Sequence, residues 1–192
     1  MGRRKAEPLD RAMVLDTGFA LLADDGLAGL SMRALADRLG VQAPALYWHF
    51  TSKSELIGMM ALALYHDARC APPAGGDWQD WLISYGRALH QKLTGLRDGA
   101  RLCAMAEPMR SKASLTAPAI AAPLTDRGLD QGFALDAIAS VTSLALGWAS
   151  FEANAPMHAL LDGMIDVQRS FERGLAALVT GLAGGVSQNP AG

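Results

Sequence analysis

The sequence predicts an all-α protein, and three features of the chain support this. Apolar residues recur at spacings of three and four, as they do on the buried face of a helix. No segment between turn signals shows the alternating pattern of a strand. Glycine, proline and N-capping residues divide the chain into segments of helical length. We therefore expect a small three-helix domain followed by a larger helical domain.

The composition excludes several classes of protein. Of the 192 residues 51% are hydrophobic, yet charged residues interrupt every long apolar run, so no membrane span is expected. The basic start, Arg3 to Lys5, lacks the apolar segment of a secretory signal, which indicates a cytoplasmic protein. Only Cys70 and Cys103 are present, as expected in a reducing compartment. With a formal net charge of -2, any affinity for nucleic acid must come from a local surface.

Local signals place four helices in the first third of the chain. Gly26 ends the first helix, and Ser31 is a suitable N-cap for a short second helix, which Gly40 ends. Ser52 and Glu55 have the spacing of a capping box and open a long fourth helix. The predicted ranges are 10–24, 32–39, 44–50 and 53–68, with Pro44 in the first turn of the third helix.

The remaining chain predicts five further helices behind a break in composition. Residues 71–76 are rich in proline and glycine, and Asp77 follows as the N-cap of the next helix. Because the fourth helix should bridge both parts, we place the domain boundary before it, with domains at 1–52 and 53–192. The predicted helices cover 77–94, 97–106, 117–127, 133–154 and 162–182.

Residues 31–50, with the sequence SMRALADRLGVQAPALYWHF, predict a helix-turn-helix. Ala36 is small enough for a close helix crossing, and Gly40 can adopt the left-handed backbone of the turn. Four apolar residues can pack that crossing: Leu35, Leu39, Val41 and Leu46. This unit lays its second helix in the major groove of DNA, so the opposite face is the candidate reading surface.

The candidate DNA-binding surface combines a base reader with groups suited to phosphate. The amide of Gln42 can pair with an adenine edge, and Ala43 and Ala45 can touch a thymine methyl. The full candidate set is Ser31, Arg33, Gln42, Ala43, Pro44, Ala45, Tyr47, His49 and Lys53. The alternative is an ordinary helical hairpin with Tyr47 and Phe50 in its core. Trp48 is expected in the core on either interpretation, because its large surface favours burial.

The run Leu46-Tyr47-Trp48-His49-Phe50, followed by Lys53, resembles the TetR family, whose recognition helix ends in an L-Y-x-H-F pattern. The resemblance extends over residues 9–56. It implies a three-helix DNA-binding domain with a helix-turn-helix, a fourth helix leading to a ligand-binding and dimerisation domain, and a homodimer on palindromic operator DNA. It also implies a repressor that a small-molecule effector releases from DNA.

The C-terminal part resembles the tetracycline-repressor branch through Arg97-Asp98-Gly99-Ala100 and Ala139-Ser140-Val141-Thr142. In that branch a histidine and a threonine help to bind magnesium–tetracycline, and an asparagine contacts the drug. The matching positions here hold Cys103, Ala106 and Tyr85. A thiol is a poor ligand for hard Mg²⁺, so tetracycline is not the expected effector.

An apolar, methionine-containing pocket is expected between the helices of the second domain, suited to a greasy or aromatic effector. The candidate effector-binding residues are Tyr65, His66, Tyr85, Leu89, Cys103, Met105, Met109 and Phe151, which can equally be core residues. We expect no metal ion and no other cofactor.

Two alternatives remain at this point. One is a metal- or thiol-sensing repressor that uses His66, Cys70 and Cys103. The other is a helical enzyme using Cys103 or Ser140 with His66 or His90, although no nucleophile elbow or phosphate loop supports it. The partners expected on the favoured reading are double-stranded operator DNA, a small-molecule effector and a second copy of the chain, without a membrane.

A dimer interface is expected on the last two long helices, which carry small and apolar residues at helical spacing. These residues are Ala137, Val141, Leu144, Gly147 and Trp148, then Phe171, Leu175, Leu178 and Leu182.

Overall fold

The computed structural model describes residues 9–72, 75–107 and 116–186. The basic cluster at the start of the chain and Met109 lie outside these residues. The described residues contain helices and no strand, which confirms the all-α prediction. The helices are α1 (Arg11–Gly29), α2 (Met32–Leu39), α3 (Ala43–Leu46), α4 (Lys53–Cys70), α5 (Trp78–Gly95), α6 (Gly99–Met105), α7 (Ala117–Thr125), α8 (Gln131–Ala153), α9 (Ala155–Asp162) and α10 (Val167–Val186).

Side-chain caps fix the start of most helices where the sequence placed them. The hydroxyl of Ser31 accepts a hydrogen bond from the Ala34 amide at 3.1 Å, and the carboxylate of Asp77 accepts one from Asp80 at 2.8 Å. Ser52 caps α4 by accepting from the amide of Glu55 at 3.0 Å. These bonds satisfy amide groups that have no partner within the first turn of a helix.

Four elements differ from the prediction. One is α10, which begins at Val167, five residues later than the expected residue 162. α1 continues beyond the expected stop, but it kinks at Gly26, whose φ of 69° is left-handed. α3 is regular only to Leu46 and continues as a turn to His49. The helix α9 was not predicted, because it is short, begins with Pro156 in its first turn and buries no side chain.

The core runs continuously from the first domain into the second. Leu22, Leu35, Leu46 and Phe50 are fully buried between α1 and α4. In the second domain α5 lies between α8 and α10, and Gly86 permits the close approach, since a Cβ there would lie 2.8 Å from Leu175. The apolar contacts along α4 therefore connect the small domain to the large one.

The long helix α8 is apolar enough, by length and composition, to cross a membrane. One third of its most apolar window is buried inside the subunit, where it packs against α5, α7 and α10. Such a composition is also that of a core helix. Ala137 and Val141, together with Phe171 and Leu175 of α10, are 0% exposed. The expectation that these four residues form a dimer interface is wrong, because they pack inside their own subunit.

Candidate functional site

The helix-turn-helix has the predicted packing. Gly40 ends α2 with φ 67° and ψ 28°, which is the left-handed backbone that the turn requires. The amide of Val41 donates to the carbonyl of Ala36 at 3.0 Å, and Ala36 itself is buried at the crossing. Leu46 and Phe50 then anchor the second half of the unit in the core. One face of α3 and of the turn after it is therefore left outside.

That outer face carries the candidate DNA-binding residues. Tyr47 is 51% exposed, and His49 is half-buried, so neither side chain is enclosed in the core. The side chain of Arg33 is 91% exposed. Of the other candidates Gln42, Pro44 and Lys53 are exposed, whereas Ser31, Ala43 and Ala45 are half-buried.

Trp48 lies on this outer face and not in the core, so the expectation for it is wrong. It is 90% exposed, the highest value of any large apolar side chain in the described residues. Leu46 and Phe50 are four residues apart and face the core, which turns the residues between them outward. The spacing of the buried pair was the signal that could have placed Trp48 correctly.

Several arginine residues near this face form ion pairs. Arg38 pairs with Asp24, and Arg11 pairs with Glu55 at 2.7 Å while its guanidinium stacks 4.7 Å from the Phe50 ring centre. Arg33 is 3.9 Å from Asp37 in an exposed pair, which contributes little energy. Acidic neighbours therefore compensate much of the positive charge around the reading surface.

A small cavity lies in the second domain at the C-terminal half of α4. Its volume is about 170 Å³, and its surface is mostly apolar. The lining residues are Leu62, Tyr65, Arg69, Tyr85, Ile120, Ile138 and Thr142. A larger groove of about 710 Å³ between α9 and the start of α10 is open and mainly polar, so it has less of the character of a ligand pocket.

Two hydroxyl groups of the cavity wall, which Tyr65 and Arg69 also line, are hydrogen-bonded to each other. The Thr142 hydroxyl donates its one hydrogen to the carbonyl of Ile138 at 2.7 Å. The Tyr85 hydroxyl lies 2.7 Å from Thr142 Oγ1 and is therefore the donor of that bond. Burial raises the pKa of Tyr85 above its ordinary value, although the bond to Thr142 opposes the shift. The tyrosine stays protonated and keeps lone pairs that can accept a hydrogen bond.

The structure places two of the predicted effector residues, Tyr65 and Tyr85, in the cavity wall. Cys103 is buried within hydrogen-bonding range of Tyr65, and Leu89 is buried in the core. His66, Met105 and Phe151 are exposed and lie outside the cavity. Five further residues line the cavity that were not expected from the sequence: Leu62, Arg69, Ile120, Ile138 and Thr142.

The thiols do not come together. Cys70 lies 3.8 Å from the His66 ring on the exposed end of α4, whereas Cys103 is buried beside Tyr65. Burial raises the pKa of the Cys103 thiol to about 11, and it also raises the pKa of Tyr65. Within residues 9–72, 75–107 and 116–186 no group of three His, Cys, Asp or Glu residues is suited to hold a metal ion.

His90, a residue of the enzyme alternative, is engaged in the core. Its Nε2 atom lies 2.7 Å from a carboxylate oxygen of Glu152, and its ring stacks on Phe171 with centroids 4.0 Å apart. It is 4% exposed. These contacts hold the imidazole in place between helices α5, α8 and α10.

A helix-turn-helix with an exposed second helix, joined to a helical domain that contains a cavity, defines a ligand-responsive DNA-binding regulator. The family model described as bacterial regulatory proteins, tetR family, matches residues 14–60. The chain is 34% identical, over 192 aligned residues, to the tetracycline repressor protein class A from transposon 1721 of Escherichia coli, with 88% of each chain covered. The chain belongs to the TetR family; it is a helix-turn-helix repressor and not an enzyme.

Further relatives agree with this assignment. The tetracycline repressor protein class C of Escherichia coli is 32% identical, with 91% of this chain and 90% of that one covered. The structure of TetR(class A) with 5a,6-anhydrotetracycline and magnesium superposes with a TM-score of 0.70 and 32% identity, covering 91% and 98% of the two chains. A TetR variant from Acinetobacter baumannii AYE in complex with minocycline gives a TM-score of 0.74 and 30% identity, covering 91% and 97%.

Proposed function

We propose that the protein is a homodimeric repressor that binds a palindromic operator and leaves it when a small, mostly apolar effector enters the cavity in the second domain. The observation that carries the proposal is the outward position of Tyr47 and Trp48 beside the exposed Gln42. A core hairpin would bury aromatic side chains of this size. On this reading, residues 1–52 bind DNA and residues 53–192 bind the effector and form the dimer.

Within the DNA-binding surface we assign each group by its chemistry. Gln42 reads an adenine edge, because an amide offers one donor and one acceptor in the geometry that adenine requires. Tyr47, His49 and Lys53 contact phosphates, which fixes the protein on the duplex without reading sequence. Arg33 contacts phosphate or guanine. Ser31 caps α2 with its hydroxyl, and so it serves the surface mainly by positioning that helix.

The proposed dimer uses the outer faces of α8 and α10. Leu144, Gly147 and Trp148 on α8, with Leu178 and Leu182 on α10, remain at least partly exposed in the single subunit. They are apolar or small, as residues are where helices of two subunits pack closely. A twofold axis there presents two reading surfaces, which must be about 34–36 Å apart to enter successive major grooves.

Effector binding changes the distance between the two reading surfaces. A ligand that binds better to one separation of the reading surfaces shifts the dimer toward that state by its difference in affinity. The helix α4 is suited to carry the change, since Lys53 at one end belongs to the reading surface and Tyr65 near the other lines the cavity. We place this activity in the cytoplasm, where a bacterial regulator meets its DNA.

The experiment that tests the proposal is selection of bound sequences from a pool of random duplex DNA. We expect a palindrome, and we expect the affinity for it to fall steeply with added salt. Gln42→Ala should lose about 1–3 kcal/mol of discrimination at one base pair per half-site. The matched control is Gln91→Ala, an exposed glutamine on α5. Recovery of no sequence, or of an asymmetric one, would contradict the proposal, as would a monomer in sedimentation at micromolar concentration.

A further inference from the structure

Arg69 is an unusual lining residue for an apolar cavity, and among the described residues no acidic side chain forms an ion pair with it. It is half-buried on α4, one turn after Tyr65. It forms no hydrogen bond or ion pair with another described residue, and its one recorded electrostatic neighbour is the Tyr85 hydroxyl. A cation held beside apolar surface without a partner favours a ligand that supplies the negative charge.

The acidic residue nearest to Arg69 along the helix is already engaged. Asp67 lies 3.2 Å from the ammonium of Lys92 and 3.8 Å from His66. In the segments outside the described residues the sequence contains a single acidic side chain, Glu7. The carboxylate of Asp67 is therefore not available as a partner for Arg69.

The size of the cavity suits a ligand of one ring. Its volume of about 170 Å³ is close to that of an engineered protein cavity of about 150 Å³ that binds benzene. The side chains of Leu62, Ile120 and Ile138 supply apolar surface for such a ring.

The hydroxyl groups in the wall supply a second polar contact. Because Tyr85 donates its hydrogen to Thr142, the Tyr85 oxygen is left to accept a hydrogen bond from the ligand. A ring hydroxyl is a suitable donor.

We propose that the effector is a one-ring aromatic carboxylate bearing a hydroxyl group, with the carboxylate on Arg69 and the hydroxyl on Tyr85. This inference rests on the proposed function, since it names the ligand class of the same cavity. A guanidinium and a carboxylate form charge-assisted hydrogen bonds, which are stronger than those between neutral groups. The ring takes the place of water against the leucine and isoleucine side chains.

The test is calorimetric titration of the purified protein with the sodium salts of 2-, 3- and 4-hydroxybenzoate. The neutral hydroxybenzamides of the same shape serve as comparison ligands. We expect at least one acid to bind, and its amide to bind at least about tenfold more weakly, because the charge-assisted bond is lost. Arg69→Gln should lower the affinity for the acid by about tenfold or more. The control variant Arg169→Gln, at an exposed position on α10, should lower it by less than about twofold.

Thermal unfolding without ligand establishes that each variant is folded. If Arg69→Gln does not fold, Arg69→Lys replaces it, and we expect this variant to bind the acid more weakly than the wild type while retaining preference over the amide. The same acid should release the protein from its selected DNA, as measured by fluorescence anisotropy.

Several results would overturn the inference. Absence of binding by every acid, equal binding of acid and amide, or an unchanged affinity in Arg69→Gln would each do so. Tight binding of anhydrotetracycline with magnesium that Arg69→Gln leaves unchanged would also overturn it. In all these cases specific binding to the selected palindrome would leave the proposed function intact, whereas loss of specific DNA binding by the wild type would remove that function itself.

Discussion

The carboxylate of Asp98 accepts a hydrogen bond from the backbone amide of Leu27 at 2.8 Å. This bond joins the loop before α6, in the second domain, to the kinked end of α1 in the first. Asp98 has φ 56°, a left-handed conformation that is uncommon for a residue other than glycine. Beside it the guanidinium of Arg97 donates to the carbonyl of Asp24. The two residues form a polar connection between α1 of the first domain and the loop before α6 of the second.

We expect Asp98→Ala to lower the free energy of unfolding by about 1–3 kcal/mol, because the partly buried Leu27 amide loses its acceptor. Asp98→Asn should cost less, since asparagine tolerates the left-handed backbone and keeps an acceptor oxygen. Urea unfolding at pH 7 measures both. Asp16→Ala, an exposed carboxylate on α1, is the control. Equal stability of Asp98→Ala and the wild type would show that the bond contributes nothing.

Removal of Trp48 should affect DNA binding and not folding. At 90% exposure its side chain contributes little to the core, so Trp48→Ala should change the unfolding free energy by less than about 0.5 kcal/mol. We expect its affinity for the selected operator to fall by about tenfold, because Trp48 lies on the face that the proposed function places against the duplex. Phe50→Ala, two residues away and fully buried, should instead cost about 3–5 kcal/mol of stability. Anisotropy and urea unfolding on the two variants separate the two roles, and unchanged DNA affinity in Trp48→Ala would exclude Trp48 from the interface.

Glu55 should make stability depend on pH. The Thr51 amide, the Thr51 hydroxyl and Arg11 all donate to its carboxylate, and the Thr51 amide is the main reason that its pKa lies below the ordinary value of 4.5. A lowered folded-state pKa means that the stabilisation is complete above pH 4.5 and is lost as the pH falls through the folded value. Glu55→Gln should therefore cost about 1 kcal/mol at pH 7 and progressively less below pH 4.5. Urea unfolding across this pH range measures the difference in unfolding free energy between the wild type and Glu55→Gln. Glu107→Gln, at an exposed position, is the control. A difference that stays constant with pH would contradict the prediction.

The two cysteines should differ in reactivity. Cys103 is buried and has its pKa raised to about 11, so it remains a thiol at pH 8, whereas Cys70 is exposed. Because the thiolate is the reactive form, a disulfide reagent such as DTNB should modify Cys70 quickly and Cys103 slowly in the native protein. Cys70→Ser should abolish the fast phase, and denaturation should make both thiols reactive. A fast phase that persists in Cys70→Ser would show that Cys103 is accessible.

Local signals in the sequence were sufficient for most of the fold. Ser31, Ser52 and Asp77 begin the helices they were expected to begin, because a cap depends only on residues within the same turn. The break at Gly26 was visible locally, because glycine is the usual residue at a left-handed helix end, but the helical turn that follows it to Gly29 was not. It is accompanied by the bond from Leu27 to Asp98, which lies 71 residues further along the chain.

The reading surface was more predictable than the cavity. Tyr47 and His49 follow from the spacing of a single short unit, whereas the cavity joins residues of four helices. Arg69 shares a helix face with Tyr65, yet a charged residue at that spacing is ordinarily a solvated one, and only the position of α8 with Thr142 brings it against apolar surface. Side chains that depend on the packing of distant helices give no periodic signal of their own.

The length of α4 has a mechanical consequence. Its 18 residues extend for about 27 Å at 1.5 Å per residue, with the cavity beside one end and Lys53 at the other. A tilt of about 5° about the cavity end displaces the far end by about 2 Å, and a twofold partner tilting the opposite way doubles the change. Successive major grooves are about 34 Å apart, and a shift of this size is enough to move the two reading surfaces of the proposed dimer out of line with them. If the proposed function holds, a ligand no larger than a single ring needs to rotate α4 by only a few degrees to separate the protein from its operator.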